Sequence, residues 1–226
     1  MGGAVPDLGS RKILQQAAGI KVATMVKWEA LFPTPVMTSA IGRPFTDEEQ
    51  RFFERHRGTP HPNVMNVRSE DTHVLDAPEM QGLRAIVMEA VNQFGRKTIS
   101  SRPQHEFYLT QSWLNYTRPG EAHHRHRHTN SLISGVLYVS AKKDSDGIVF
   151  YRNDANQILV TDEALNWYNA PSWAFSVGTG DLVLFPSGMM HGVDQTQGQH
   201  VRISLAFNAF LKGDIGSENS LNRLEL

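Results

Sequence analysis

The sequence predicts an all-β core, whether sandwich, barrel or jelly roll, with helices laid over one outer face. From Glu106 onward, β-type runs recur between Gly, Pro, Asn and Asp: FYLTQSWLNYT, ISGVLYVSA, GIVFY, WAFSV, DLVLFP and VRISLAFNAF. No helical pattern alternates with them, which argues against a doubly wound parallel sheet. Two amphipathic helical segments precede them, and the apolar stripe of the second needs a flat partner.

Taken in order, residues 1–27 form an extension rich in Gly, Lys, Gln and Ala, with a short helix expected near Arg11 to Val26 and broken at Gly19. WEALFPTPV then offers a short strand bounded by Pro33 and Pro35, which suits a sheet edge because proline cannot donate to a ladder. Thr46 and Glu49 have capping-box spacing at the start of TDEEQRFFERHR, and Asp76 and Glu79 have it before APEMQGLRAIVMEAVNQF. In that second helix Met80, Leu83, Ile86, Val87, Ala90, Val91 and Phe94 share a face, and Gly95 stands where a helix would end. RGTPHPNVMNVRSEDTHVL between the helices reads as a loop. The whole is expected to be one domain over 1–226, with strand and covering helices at 28–105, the β core at 106–211 and a polar tail at 212–226.

Composition narrows the chemistry. The 226 residues hold 22 Lys plus Arg against 23 Asp plus Glu, ten His and no Cys. Disulfides, thiolate metal sites and cysteine nucleophiles are excluded, so any metal must be held by imidazole, carboxylate or backbone oxygen. A formal charge of −1 gives no global reason to expect nucleic acid as a partner. No apolar run reaches the ~18 residues of a membrane span, and a cytoplasmic protein without membrane partners is expected, with a homo-oligomer left open.

Four of the ten histidines fall in HHRHRH, residues 123–128. The segment follows the Arg118-Pro119-Gly120 turn and leads into ISGVLYVS, so it reads as extended. Alternate side chains of an extended chain share a face, so His126 and His128 can converge on one ion while Arg125 and Arg127 point away. Solvated surface histidines are the alternative reading, and His123 and His124 read as bystanders. A third ligand comes from GTGDLVLFPSGMMHGV, where His191 follows an apolar strand and a short turn; a hydrogen-bonded core imidazole is the alternative there. Further on, Arg202 and Ser204 share one face of VRISLAFNAF, with Ile203, Leu205 and Phe207 on the other. Buried, such an arginine needs a carboxylate; otherwise its face is solvated.

These segments, with LFPTPV upstream, SWLNYTRPGEAHHRHRHTNSLISGVLYVS and GDLVLFPSGMMHGVDQTQGQHVRISLAFN, resemble the 2-oxoglutarate and Fe(II)-dependent oxygenase superfamily, in particular a bacterial and phage branch with an HxH…H motif. The resemblance spans about Trp28 to Phe210. It implies a double-stranded β-helix (jelly roll), Fe(II) and O2 as cofactors, and 2-oxoglutarate as cosubstrate, decarboxylated to succinate while an unidentified small molecule or peptide is hydroxylated. It makes His126 and His191 metal ligands. Arg202 would bind the far carboxylate of 2-oxoglutarate beside Ser204, with Tyr116 and Tyr138 also on the cosubstrate and Asn115 and Ser134 as weaker candidates. Half-buried strand aromatics are the alternative reading of the tyrosines. The superfamily usually carries His-x-Asp; here His128 stands at the Asp position, leaving the site one unit more positive, and Asp194 is a weaker candidate for the missing carboxylate. Three other readings stay open: a three-His cupin-type dioxygenase that does not use 2-oxoglutarate, a metal-dependent isomerase or hydrolase on the same fold, for which no general base near the metal is evident, and a non-catalytic jelly-roll metal-binding module. The loops facing substrate are expected within 144–173, with Asn153, Asp154, Trp167, Tyr168 and Trp173.

Overall fold

The computed structural model describes residues 27–99, 105–153 and 165–226. The chain divides into a unit at Met1–Thr34 and a second at Pro35–Leu226. Of the first, residues 27–34 carry no helix or strand, and the helix expected near Arg11 to Val26 lies outside the described residues. The strand expected in WEALFPTPV is not there: residues 28–36 carry no strand, and the first, β1 (Met37–Ala40), follows them at a sheet edge.

α1, Asp47–Arg57, starts at the expected capping box. The Glu49 amide donates to Thr46 Oγ1 at 3.2 Å, and Glu49 Oε2 accepts from the Thr46 amide at 2.8 Å. Glu49 also receives both terminal nitrogens of Arg43, at 2.6 and 2.8 Å, which satisfies a carboxylate buried under the helix. The segment expected to be a loop instead holds a small hairpin, β2 (Pro60–Pro62) and β3 (Val67–Ser69). Asn63 and Asn66 close its turn by side-chain and backbone hydrogen bonds, local chemistry that leaves no hydrophobic period to read.

α2, Gln81–Thr98, departs from expectation at both ends. A 3₁₀ turn at Pro78–Met80 precedes it, and its N-terminus has no side-chain cap. Asp76 accepts from Arg84 at 2.8 Å instead of capping. The helix also runs through Gly95, because this glycine serves packing: a Cβ there would lie 2.3 Å from the Phe107 ring. The predicted stripe is buried, with Leu83, Val87, Val91 and Phe94 almost fully shielded.

The remaining strands are β4 (Glu106–Thr117), β5 (His123–His126), β6 (Ile133–Ser140), β7 (Gly147–Tyr151), β8 (Ser172–Ser176), β9 (Asp181–Pro186), β10 (His191–Val193) and β11 (Arg202–Lys212). A peripheral pair, β12 (Asp214–Ile215) and β13 (Leu224–Glu225), forms the tail. A major sheet of seven strands runs β1-β9-β6-β11-β4-β3-β2, and a minor sheet of four runs β5-β10-β7-β8. Every pairing between these strands is antiparallel. The helices cover the outer face of the major sheet, where Leu114, Leu137, Leu184, Leu205 and Phe207 join the stripe of α2 in one core. A second, smaller cluster lies between the sheets and contains Tyr138, Val183 and Phe185 from the major sheet with Ile148 and Phe150 from the minor. This is the jelly roll with covering helices.

Gly95→Ala tests the packing account. Alanine raises helix propensity, yet the added methyl must displace Phe107, so a net destabilisation of about 1–3 kcal/mol is expected in urea unfolding. A neutral or stabilising result would assign Gly95 no packing role.

Candidate metal centre

β11 lies between β4 and β6, and its register decides what faces inward. Arg202 pairs with Thr117, and Ser204 lies between Asn115 and Tyr138. Residues directly opposite in an antiparallel pair share a face, so these side chains point together into the space between the sheets. The minor sheet supplies the other wall, where β10 places His191 opposite His126 of β5. His128 follows β5, and its amide donates to Ser187 O at 2.9 Å.

Three imidazoles meet there. Ring centroids are 4.3 Å apart for His126 and His191, 5.0 Å for His126 and His128, and 5.3 Å for His128 and His191. One ligand atom from each lies within 4.8 Å of the others. His126 Nδ1 is 2.8 Å from His124 O, and His191 Nδ1 is 2.9 Å from Met189 O. A carbonyl can only accept, so each of these rings carries its proton on Nδ1 and leaves the Nε2 lone pair free for an ion. Burial pushes the His191 pKa down to about 3 and that of His128 to about 4, and it lowers His126 as well. Neighbouring imidazoles add to the depression, so the cluster is neutral at pH 7, as metal ligation requires. Arg125 and Arg127 are exposed, as the alternation predicted.

Behind His128 runs a buried polar chain that the sequence reading missed. Ser134 Oγ donates to Asn208 Oδ1 at 2.7 Å and contacts Ser187 Oγ at 2.8 Å, while the Asn208 amide nitrogen approaches His128 Nδ1 at 3.5 Å. Ser134 therefore supports the His128 side of the site and does not line the cavity, which corrects its expected place on the cosubstrate. Asn208 stands at even spacing from Arg202, Ser204 and Ala206 on β11, a signal that could have revealed it.

The cavity is lined by the three imidazoles together with His123, Trp113, Asn115, Tyr138, Arg202 and Ser204, among others. Arg202 is 2% exposed. Its Nη2 donates to Thr117 Oγ1 at 3.1 Å, its Nε has no partner, and no carboxylate among the described residues pairs with it. Desolvation lowers its pKa, the sign of a cation held away from water. Asn115 Oδ1 is likewise buried without a partner. Burial raises the pKa of Tyr138, which is therefore a neutral donor.

Two expectations are corrected. Tyr116 lies opposite Ile203, on the helix side of β4, and its hydroxyl donates to Phe53 O at 2.8 Å. It is one residue out of phase with Asn115, so it cannot face the cavity. Asp194 is exposed on the loop after β10 and belongs to no ligand group among the described residues. No Asp or Glu among them lines the cavity.

Residues 111–208, which contain every element of this site, match the family model described as "Putative 2OG-Fe(II) oxygenase". Over those residues the chain is similar to the 2-oxoglutarate/Fe(II)-dependent oxygenases. Several solved structures share its fold. HygX from Streptomyces hygroscopicus, solved with nickel, 2-oxoglutarate and hygromycin B, is 13% identical with a TM-score of 0.54, over 78% of this chain and 82% of that one. A Pseudomonas putida prolyl-4-hydroxylase is 15% identical with a TM-score of 0.51, over 77% and 92%. A 2OG-Fe(II) oxygenase family oxidoreductase from Burkholderia pseudomallei is 12% identical with a TM-score of 0.52, over 77% and 83%. No curated protein matches the sequence. Among the described residues no helix is long and apolar enough to cross a membrane.

A buried guanidinium without a carboxylate partner carries an uncompensated desolvation cost. Arg202→Met should therefore raise the unfolding free energy of the protein, by about 1–3 kcal/mol. Calorimetric melting of both proteins without ligand checks this. A large loss of stability would mean that the Thr117 contact outweighs desolvation.

Proposed function

We propose that this oxygenase binds Fe(II) through His126, His128 and His191 and 2-oxoglutarate through Arg202, Ser204, Asn115 and Tyr138. The observation that carries the reading is the position of Arg202, buried without a carboxylate partner in the cavity where the three imidazoles converge. The residues fit both groups. Neutral imidazoles suit a divalent ion, and the unpartnered guanidinium Nε suits a carboxylate that the chain does not supply. The same unpartnered cation disfavours a three-His dioxygenase that needs no dicarboxylate.

When bound, Fe(II) supplies the activation of O2 that couples decarboxylation of 2-oxoglutarate to succinate with hydroxylation of a substrate. The protein's own part is positional. The carbonyls of His124 and Met189 fix two ring orientations, and the Asn208 amide approaches the third. Arg202 neutralises the far carboxylate, and Ser204 and Tyr138, opposite each other on adjacent strands, offer hydroxyls beside it. Phe185, Phe150 and Ile148 form an apolar backing that excludes water from the imidazole cluster.

Substrate would enter along the minor sheet. His126, His191, Phe150 and Trp173 occupy successive opposed positions across β5, β10, β7 and β8, so Trp173 shares the face of the ligands. It lies about 10 Å beyond His191, two strand spacings away. Trp167 packs edge-on against it at 6.3 Å, and both are exposed. Arg152 holds their loop through the carbonyls of Trp167, Tyr168 and Ala170. Asn153 adjoins this rim, whereas Asp154 lies outside the described residues.

Anaerobic addition of Fe(II) and then 2-oxoglutarate should give the weak visible charge-transfer band of the chelate, and air should then yield succinate. Arg202→Ala should lose the band at matched 2-oxoglutarate, and His191→Ala should lose metal binding itself. A wild-type protein with no band would overturn the reading. Charge arithmetic adds a further expectation. With three neutral ligands the ion's charge is offset only by the cosubstrate, so His128→Asp should tighten Mn(II) binding in the absence of 2-oxoglutarate, by roughly tenfold or more. Isothermal titration measures it, and unchanged affinity would place His128 outside the ligand set.

A further inference from the structure

β5 departs from regular pairing next to the ligands. Its partner β10 sets His191 against His126 but Val193 against His123, so two residues of advance on β10 match three on β5. The extra residue is a bulge. In an unbroken strand, side chains three apart point to opposite faces; here the bulge turns His123 to the side of His126. Their rings stack with centroids 4.7 Å apart and planes within 17°. Gly192 lets the strands approach at this point, since a Cβ would meet His123 O at 3.1 Å and His124 O at 3.3 Å.

The bulge thus puts a fourth imidazole into the cavity that holds Arg202, Asn115 and Ser204. His123 lines this cavity together with Arg202, His126 and His191, so its ring lies beside both the ligand cluster and the guanidinium. Its contacts are with neighbouring imidazole rings, and no described residue hydrogen-bonds to it. Resting on the function proposed above, we infer that His123 is a cosubstrate-binding residue whose ring N–H donates to a carboxylate of 2-oxoglutarate lying between the ligand imidazoles and Arg202. An imidazole carries at least one N–H in every protonation state, so this role does not depend on titration.

A competing role is metal ligation, since His123, His124 and His126 also have potential ligand atoms within 4.8 Å of one another. Geometry disfavours it. Metal bonds to imidazole lie in the ring plane at about 2.0–2.1 Å, and two nearly parallel stacked rings direct their lone pairs side by side instead of toward a common point. His126 Nε2 also cannot serve two ions.

Three variants separate the roles: His123→Phe keeps the stacking surface without a donor, His123→Asn keeps a donor without the ring, and His123→Ala removes both. Mn(II) affinity is measured alone by titration, and 2-oxoglutarate affinity is measured anaerobically on the Mn(II)-loaded protein. The Phe and Ala variants should weaken 2-oxoglutarate by about 10- to 100-fold, the range of a hydrogen bond to a charged group. Their Mn(II) affinity should stay near wild type, and Asn should recover most of the loss. Phe binding 2-oxoglutarate like wild type would reduce His123 to a stacking partner and overturn the inference. A parallel fall in Mn(II) affinity would overturn it in favour of ligation. Should Phe fail to fold, equal 2-oxoglutarate affinity in Ala and Asn would overturn it as well. Failure of wild type to bind 2-oxoglutarate at all would instead bring down the reading on which the inference rests.

Discussion

The alternation of β11 constrains everything else in the molecule. Its odd-numbered residues, Ile203, Leu205 and Phe207, are part of the core under the helices, while Arg202, Ser204 and Asn208 turn to the opposite side. The side-chain period of a strand is two, so a slip of one residue would exchange the faces completely. It would put a guanidinium under α2 and three apolar side chains into the site. Burial of the helix-facing stripe thus fixes the register, and the register fixes which side chains line the cavity. Fold stability and the placement of Arg202 beside the imidazoles are two consequences of one pairing.

The charge balance of the cavity follows from what that pairing brings in. Arg202 is a cation, the imidazoles are neutral, and the described lining has no acid. Loaded with a divalent ion and a dicarboxylate dianion, the site retains one net positive charge, where a His-x-Asp site would reach neutrality. With the proposed ligands, ion and cosubstrate would depend on each other electrostatically more than in a site whose protein ligands include a carboxylate. This is linkage in its simplest form, with each occupant supplying the counter-charge of the other.

Much of this was legible in the sequence because the relevant periods are short and local. The strand runs, the α1 capping box, the convergence of His126 with His128 and the two-sidedness of β11 all follow from spacings of two or three residues. What escaped the sequence depends on neighbours distant along the chain. Gly95 looks like a helix stop until Phe107 is placed against it. Tyr116 looks like a pocket residue until its register with Ile203 turns it toward Phe53. Asp76 had the spacing of a cap, but Arg84 one helical face away claims its carboxylate. His123 looked like a bystander because a bulge cannot be read from one strand alone; it is a mismatch between two.

The unequal lengths of the strands divide the site between two kinds of support. β11 and β4 are long and pair along their whole length, so the cosubstrate wall shares the cooperativity of the main core. His126 and His191 instead belong to strands of four and three residues, in a sheet whose apolar backing is a small cluster. Such elements sit at the low end of local stability and open without global unfolding. With the proposed ligands, an ion bridging β5 and β10 would act as a coordinate clasp on the less well supported sheet. On that proposal, metal occupancy would set how often the short strands open, while the long strands hold the opposite wall.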